Sequence, residues 1–217
     1  MGLGIKRFLK NNAPFKGISE TVADRVTDLL IQSQTNRLLR ERGPISLEVG
    51  AGNKKGSNGW VTIDISKTCD LRWDLRRGIP FPDESLAKVY SSHFLEHLSF
   101  EEGQKFLDEC LRVLIPGGII SICVPNAKLY IDAYLNSKDL DRKYFFDYTR
   151  AYNNTSRIDF VNYIAYMAGE HKYMFDQENL VNILTLKGFR NARNRSFEPS
   201  LDLKEREFES IYAEAEK

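Results

Sequence analysis

Short apolar runs bounded by turn residues fill the middle of the chain and alternate with stretches of helical periodicity. From Ser19 to Arg40 apolar side chains recur at helical spacing (Val22, Val26, Leu29, Leu30, Leu38), and Gly43-Pro44 ends the run. This predicts one or two helices ahead of a sheet. Strands are predicted at Ile45 to Gly50, at Trp60 to Ile65, more weakly at Asp70 to Leu75, and at Leu86 to Ser91. Phe100 to Leu114 reads as a helix whose core face carries Phe106, Leu107, Cys110, Leu111 and Leu114, and Pro116-Gly117-Gly118 turns it into a strand from Ile119 to Val124. Near the end Asp176 caps a helix to Lys187, Gly188 stops it, and Phe189 to Phe197 and Phe208 to Glu214 suit two closing strands paired as a hairpin. Strands that alternate with helices predict a parallel sheet buried on both faces.

The rhythm breaks from Pro125 to Gly169, where aromatic residues crowd together: Tyr130, Tyr134, Tyr144, Phe145, Phe146, Tyr148, Tyr152, Phe160, Tyr163 and Tyr166. We read residues 126–170 as a helical insertion over the site, because it follows a strand whose C-terminal end should face a ligand. Aromatic residues at this spacing more often pack than recognise. Residues 1–43 are read as an N-terminal helical segment and 44–217 as one α/β domain.

Composition adds limits. A chain of 217 residues with 42% hydrophobic content can bury a full core. Its net charge of +1 gives no global field for nucleic acid. Cys69, Cys110 and Cys123 are too scattered for a disulfide framework or a thiolate metal site and fit a reducing cytoplasm. No apolar run has the length of a membrane span, and no signal-peptide pattern opens the chain, so a cytoplasmic location is expected. Residues 1–16 begin by alternating apolar and basic side chains, which suits peripheral contact with an anionic membrane as well as a plain surface helix or a mobile terminus.

The chemistry begins at Leu47-Glu48-Val49-Gly50-Ala51-Gly52, answered by Val61-Thr62-Ile63-Asp64-Ile65. Glycines let the backbone approach a nucleoside closely, and an acid ending the next strand can accept both ribose hydroxyls. A dinucleotide fingerprint requires a third glycine that opens a helix, but position 55 is Lys and about nine residues separate the two strands. That connection is too short for the usual crossover helix.

Together with Trp73-Asp74-Leu75, Ile79-Pro80-Phe81-Pro82-Asp83, Ser91-Ser92-His93-Phe94-Leu95-Glu96-His97-Leu98 and Leu111-Arg112-Val113-Leu114-Ile115-Pro116-Gly117-Gly118, these residues resemble class I S-adenosylmethionine-dependent methyltransferases over roughly Pro44 to Lys217. The nearest likeness is to small bacterial methyltransferases associated with sugar and surface-polysaccharide pathways. The resemblance implies a Rossmann-like class I methyltransferase fold with a mainly parallel seven-stranded sheet and a C-terminal antiparallel hairpin. It implies S-adenosylmethionine as cofactor and S-adenosylhomocysteine as product. The cofactor residues would be Glu48, Gly50, Ala51, Gly52, Asp64, Ile65, Asp74, Leu75, Ser91 and Ser92. Asp64 would hold the ribose, and Asp74 with the Leu75 backbone would meet the adenine amino group. The short connection after Gly52 departs from the family pattern and leaves Asn53, Lys54 and Lys55 without a role.

His93, Glu96 and His97 share a face if the segment is helical. The spacing matches His-x-x-Glu-His of zinc proteases, but its place at a strand end in a cofactor frame speaks against that chemistry. Glu-x-x-Glu-His of metal-assisted O-methyltransferases is a nearer comparison, with His93 in place of the first Glu. Three readings stay open: Glu96 and His97 fix the loop by hydrogen bonds, His93 or His97 is a general base toward a hydroxyl, or a divalent metal joins His93, Glu96, His97 and His171. Loop fixing is the plainest, His93 and His97 are the catalytic candidates, and His171 is read as a surface or helix-entry residue. The expected activity is O-methylation of a sugar, glycan or other small hydroxyl acceptor. Rivals are an RNA or other metal-assisted O-methyltransferase, for which a basic stripe through Arg142, Lys143, Arg150 and Arg157 would speak, a non-catalytic cofactor-binding scaffold, and a nucleotide-dependent oxidoreductase.

Overall fold

A computed structural model describes residues 22–138 and 155–217. Seven strands form one sheet: β1 (Ile45–Val49), β2 (Trp60–Asp64), β3 (Leu71–Arg72), β4 (Leu86–Ser92), β5 (Leu114–Pro125), β6 (Arg190–Asn194) and β7 (Ser210–Glu216). Their order across the sheet is β3-β2-β1-β4-β5-β7-β6. The first five run parallel, whereas β7 lies antiparallel between β5 and β6. This is the Rossmann-like arrangement that the alternation of elements implied. The closing pair has the expected antiparallel sense, with Asn194 opposite Ala213. A 3-10 segment, Lys204–Glu209, lies in the connection.

Helices α1 (Val22–Arg42), α2 (Phe100–Val113), α3 (Ala127–Leu135), α4 (Ile158–Tyr166) and α5 (Gln177–Leu186) complete the described architecture. Ser99 and Glu102 form a capping box that starts α2: Ser99 Oγ accepts from the Glu102 N–H, and Glu102 Oε2 accepts from the Ser99 N–H. Phe106, Leu107, Cys110 and Val113 then bury one stripe of α2. Leu114 is buried too, but as the first residue of β5. The expected turn at Pro116-Gly117-Gly118 is a bulge: Leu86 faces Leu114, Lys88 already faces Ile119, and the residues between loop out of register. Asp176 caps α5 by accepting from the Asn179 N–H at 2.8 Å, as its position suggested.

Helix α1 differs from the periodicity in which face it buries. Ile31 and Thr35 are buried, with Leu38 and Leu39 packed against the core, while Val26, Leu29 and Leu30 are 50, 67 and 60% exposed. Apolar residues lie on more than one side of this helix, so packing against β1 and β3 rather than spacing selects the buried side. An ion pair between Asp28 and Arg77 at 2.6 Å ties the helix to the loop after β3.

Of the aromatic stretch, Tyr130 and Tyr163 stack at 5.6 Å in a small cluster with Ala127 and Ile164, against which Phe160 packs. Tyr144, Phe145, Phe146, Tyr148 and Tyr152 lie outside the described residues, as do the N-terminal sixteen.

The C-terminal loop closes over the sheet through a buried ion pair. Asp202 accepts from Arg195 through both oxygens at 2.6 and 2.7 Å, from the Tyr90 hydroxyl at 2.8 Å and from the Glu198 N–H at 2.8 Å. Arg195 also donates to Ser121 Oγ at 2.7 Å and lies 4.7 Å over the Tyr212 ring.

Candidate active site

Parallel pairing brings the C-terminal ends of β1, β2, β3 and β4 to one edge. Val49 lies opposite Ile63 and Ser91, and Asp64 opposite Arg72. That register gathers Gly50-Ala51-Gly52, Asp64-Ile65, Asp74-Leu75 and Ser91-Ser92, the crevice where open α/β sheets bind ligands.

The two glycines do different work. Both hold positive φ, +66° at Gly50 and +62° at Gly52, where a side chain is strained. A Cβ on Gly50 would lie 2.4 Å from the Phe94 ring, so that glycine makes room for the protein's own core. A Cβ on Gly52 would meet no protein atom within 4 Å, and that space is open to a ligand. The Gly52 N–H donates to Asp64 Oδ2 and the Ser66 N–H to Asp64 Oδ1, each at 2.9 Å. Burial pushes the Asp64 carboxyl up while these backbone N–H groups pull it down, and the net shift is upward. Each oxygen keeps acceptor capacity for a diol.

The connection from β1 to β2 contains no helix, although the strands are parallel. Asp70 organises it: Oδ2 accepts from the N–H groups of Gly56 and Thr62 at 2.9 and 3.0 Å and from the Thr62 hydroxyl at 3.0 Å. Asn53 accepts from Ser66 and Thr68. Lys54 folds back onto Glu48 at 2.7 Å, and Lys55 pairs with Asp70 at 3.6 Å. None of these partners was evident in the sequence, because the pairs join residues 6 to 15 positions apart with no periodic signal.

Asp74 caps the 3-10 turn Leu75–Arg77 and is gripped by the Arg76 guanidinium, the closest contact being 2.6 Å. Burial raises its carboxyl, but the hydrogen bonds and charge of Arg76 hold it below the usual range. Ser91 is fully buried at the end of β4.

After β4 the backbone turns sharply at His93, whose φ is +49°, and a 3-10 turn, Leu95–His97, follows. Glu96, His97 and His171 are 2, 8 and 5% exposed, so His171 is a core residue and not the surface or helix-entry residue expected. His97 Nδ1 donates to the Glu170 carbonyl at 2.9 Å and His171 Nδ1 to the Ile164 carbonyl at 2.8 Å. His93 Nε2 meets Ser210 Oγ at 2.8 Å, and that hydroxyl donates onward to the Arg206 carbonyl, so His93 is the donor to Ser210. Burial pushes all three imidazoles below their ordinary value, His93 furthest. His97 fixes the loop as expected, and the Glu96 backbone carbonyl accepts from Lys172 and Tyr173. The Glu96 side chain, however, has no hydrogen-bond partner at either oxygen. Of the proposed basic stripe only Arg157 is described, and it donates to Ser137 Oγ.

Residues 47–122 match the family model described as a methyltransferase domain. A probable S-adenosylmethionine-dependent methyltransferase from Mycolicibacterium smegmatis is 41% identical over 59 residues, 25% of this chain and 22% of that protein, so the matched stretch spans about a fifth of the relative's length. A crystal structure of an S-adenosylmethionine-dependent methyltransferase from Mesorhizobium loti aligns with a TM-score of 0.50 at 15% identity, covering 85% of this chain and 96% of that one. Phosphoethanolamine N-methyltransferase 2 of Haemonchus contortus, solved with S-adenosyl-L-methionine, aligns at 0.49 and 14%, covering 91% of this chain and 57% of that one. At such identity the Mesorhizobium likeness speaks for the fold alone. Among the described residues no helix is long and apolar enough to cross a membrane.

Proposed function

We propose that the whole chain is a cytoplasmic S-adenosylmethionine-dependent methyltransferase acting on a hydroxyl of a sugar, a glycan or another small acceptor, in the manner of enzymes that decorate surface polysaccharides. The observation that carries the cofactor half is the pairing of open space at Gly52 with the N–H-tethered carboxylate of Asp64 across one strand end. Asp64 holds the ribose hydroxyls, Gly50-Ala51-Gly52 admits the methionine end, and Asp74 with the Leu75 backbone meets the adenine. Ile65, Ser91 and Ser92 line the same edge. Glu48 acts on the cofactor side through Lys54, its partner at 2.7 Å.

The bound sulfonium supplies an activated methyl group, and alignment of the acceptor supplies most of the acceleration. Residues 126–170 cover the acceptor in this reading. His93 takes the hydroxyl proton: its ring is neutral, its Nε2–H is anchored on Ser210, and Nδ1 keeps its lone pair. His97 is the second base candidate: its Nδ1 is held by the Glu170 carbonyl, and its Nε2, like His93 Nδ1, lies 3.7 Å from Glu96 Oε1.

Isothermal titration with S-adenosylmethionine and S-adenosylhomocysteine tests the reading. Binding is expected in the wild type, with a loss of about tenfold or more in Asp64→Ala, since hydrogen bonds to a charged acceptor contribute roughly 1.5–3 kcal/mol. Absence of heat with both ligands, or equal affinity in Asp64→Ala, would overturn it. Methyl transfer to a panel of hydroxylated sugars then tests the acceptor class separately.

A further inference from the structure

Two acids stand at the cofactor edge, and their oxygens are occupied to different degrees. Asp64 accepts one backbone N–H at Oδ1 and one at Oδ2, so each oxygen can still receive a ligand. Asp74 accepts four contacts, all of them from Arg76. The Arg76 backbone N–H and Nε reach Oδ1 at 3.0 and 2.9 Å, and Nε and Nη2 reach Oδ2 at 3.1 and 2.6 Å. A carboxylate offers about four lone-pair positions, which leaves little for the amino group of an adenine. The guanidinium also meets the acid through two nitrogens, the stronger geometry for such a pair.

Arg76 has a second place to lie. A cavity of about 550 Å3 opens between the turn Leu75–Arg77 and the start of α2, with Arg76 in its wall. Glu101, Glu102, Asp108 and Glu109 outnumber Arg77 and Lys105 around the rest of that wall, so it favours a cation. Glu102 is the nearest alternative anchor by charge, because it and Arg76 already attract one another. Its bonds from the Ser99 N–H and from Lys172 Nζ both end on Oε2, which leaves Oε1 as an acceptor.

We propose that Arg76 is a specificity-determining residue of the nucleoside subsite: it holds the Asp74 carboxylate that an adenine amino group needs, and it turns into the cavity toward Glu102 when the cofactor seats. This rests on the cofactor reading, which assigns the adenine to Asp74 and the Leu75 backbone. Binding of an adenosyl ligand then includes the cost of parting Arg76 from Asp74, so the free protein favours the closed pair and the ligand favours the open one. A purine with a carbonyl in place of the amino group has no donor for Asp74, and it can accept from Arg76 where the guanidinium already lies. The arginine therefore narrows the preference for adenine that Asp74 alone would give.

The test is calorimetric titration of the full chain with S-adenosylhomocysteine and with S-inosylhomocysteine, whose purine carries that carbonyl. Arg76→Ala is expected to bind the adenosyl ligand about three- to fivefold tighter than the wild type, the ratio set by the upper range for partly exposed ion pairs. The inosyl ligand should gain nothing. Arg76→Met, which keeps the apolar stem, should repeat both results and guards against a local collapse peculiar to alanine. Equal or weaker binding of S-adenosylhomocysteine in both variants overturns the proposal, and so does an equal gain for the two ligands, since the guanidinium would then act on something other than the amino contact. Absence of heat with S-adenosylhomocysteine in the wild type and in both variants is a different failure: it removes the cofactor reading and this proposal with it.

Discussion

Two buried polar clusters flank the strand ends, and they are built on opposite rules. Around Asp202 four donors meet the two oxygens of one carboxylate: two guanidinium nitrogens of Arg195, the Tyr90 hydroxyl and the Glu198 N–H. Around Glu96 the His97 and His171 rings spend Nδ1–H on backbone carbonyls, no side chain donates to the carboxyl, and burial pushes it up to about 7. Both acids are almost wholly buried. Satisfaction of every lone pair marks the first as structural, because such a network is complete without a ligand. The second is incomplete by the same measure. Burial alone therefore says little about what a charged residue is for; the balance of donors and acceptors around it says much more.

The same exchange of acid for amide at the two sites should have opposite outcomes. Asp202→Asn keeps the shape but leaves the Arg195 guanidinium buried, 8% exposed at its side chain, without its anion. Removing one partner of a buried pair typically costs about 3–5 kcal/mol. Urea unfolding should show that loss as a lower midpoint with an unchanged slope. A loss below about 1 kcal/mol, the range of exposed pairs, would place this network with surface ion pairs and dissolve the contrast.

Acid should erode the first cluster in a defined direction. Burial pushes the Asp202 carboxyl up, but the Arg195 hydrogen bonds, the Glu198 N–H and the Tyr90 hydroxyl outweigh it and hold the carboxyl below its ordinary value. A depressed folded pKa contributes stability above the unfolded value of about 3.9, and that contribution disappears as pH falls through the folded one. The stability gap between wild type and Asp202→Asn should be constant near neutrality and narrow below about pH 4. A gap that stays constant down to pH 2 would show that Asp202 does not titrate in this range.

How far such contrasts can be read from sequence depends on how local they are. The strands, the Gly50-Ala51-Gly52 turn, the Asp176 cap and the helix-free link to β2 follow from neighbouring residues, and each was legible. The buried side of α1 was not, since apolar residues occupy several faces of that helix and contact with β1 and β3 chose among them. His171 was taken for a surface residue because nothing beside it in sequence needs an imidazole; its partners are the Ile164 carbonyl and a turn that precedes the whole aromatic stretch. Arg195 and Asp202 are seven residues apart, but their link to Tyr90, 112 residues away, has no local signal. For Asp74 the missed neighbour was adjacent: Arg76, two residues on, now grips the acid expected to meet adenine. The spacing of an acid and an arginine could have suggested that pair.

The smallest expected effect is the sharpest test of the comparison. Glu96→Gln removes an acid to which no side chain donates a hydrogen bond. The new amide brings two N–H donors into a site lined by bare imidazole nitrogens, and a short side-chain adjustment would let it donate to His97 Nε2. One net hydrogen bond contributes about 0.5–1.5 kcal/mol. The variant should therefore equal or exceed the wild type by up to about that amount in urea unfolding. A Glu96→Gln protein weakened by about 3 kcal/mol or more, as expected for Asp202→Asn, would mean that Glu96 is ionised and already holds a charge partner, and the two clusters would then follow one rule.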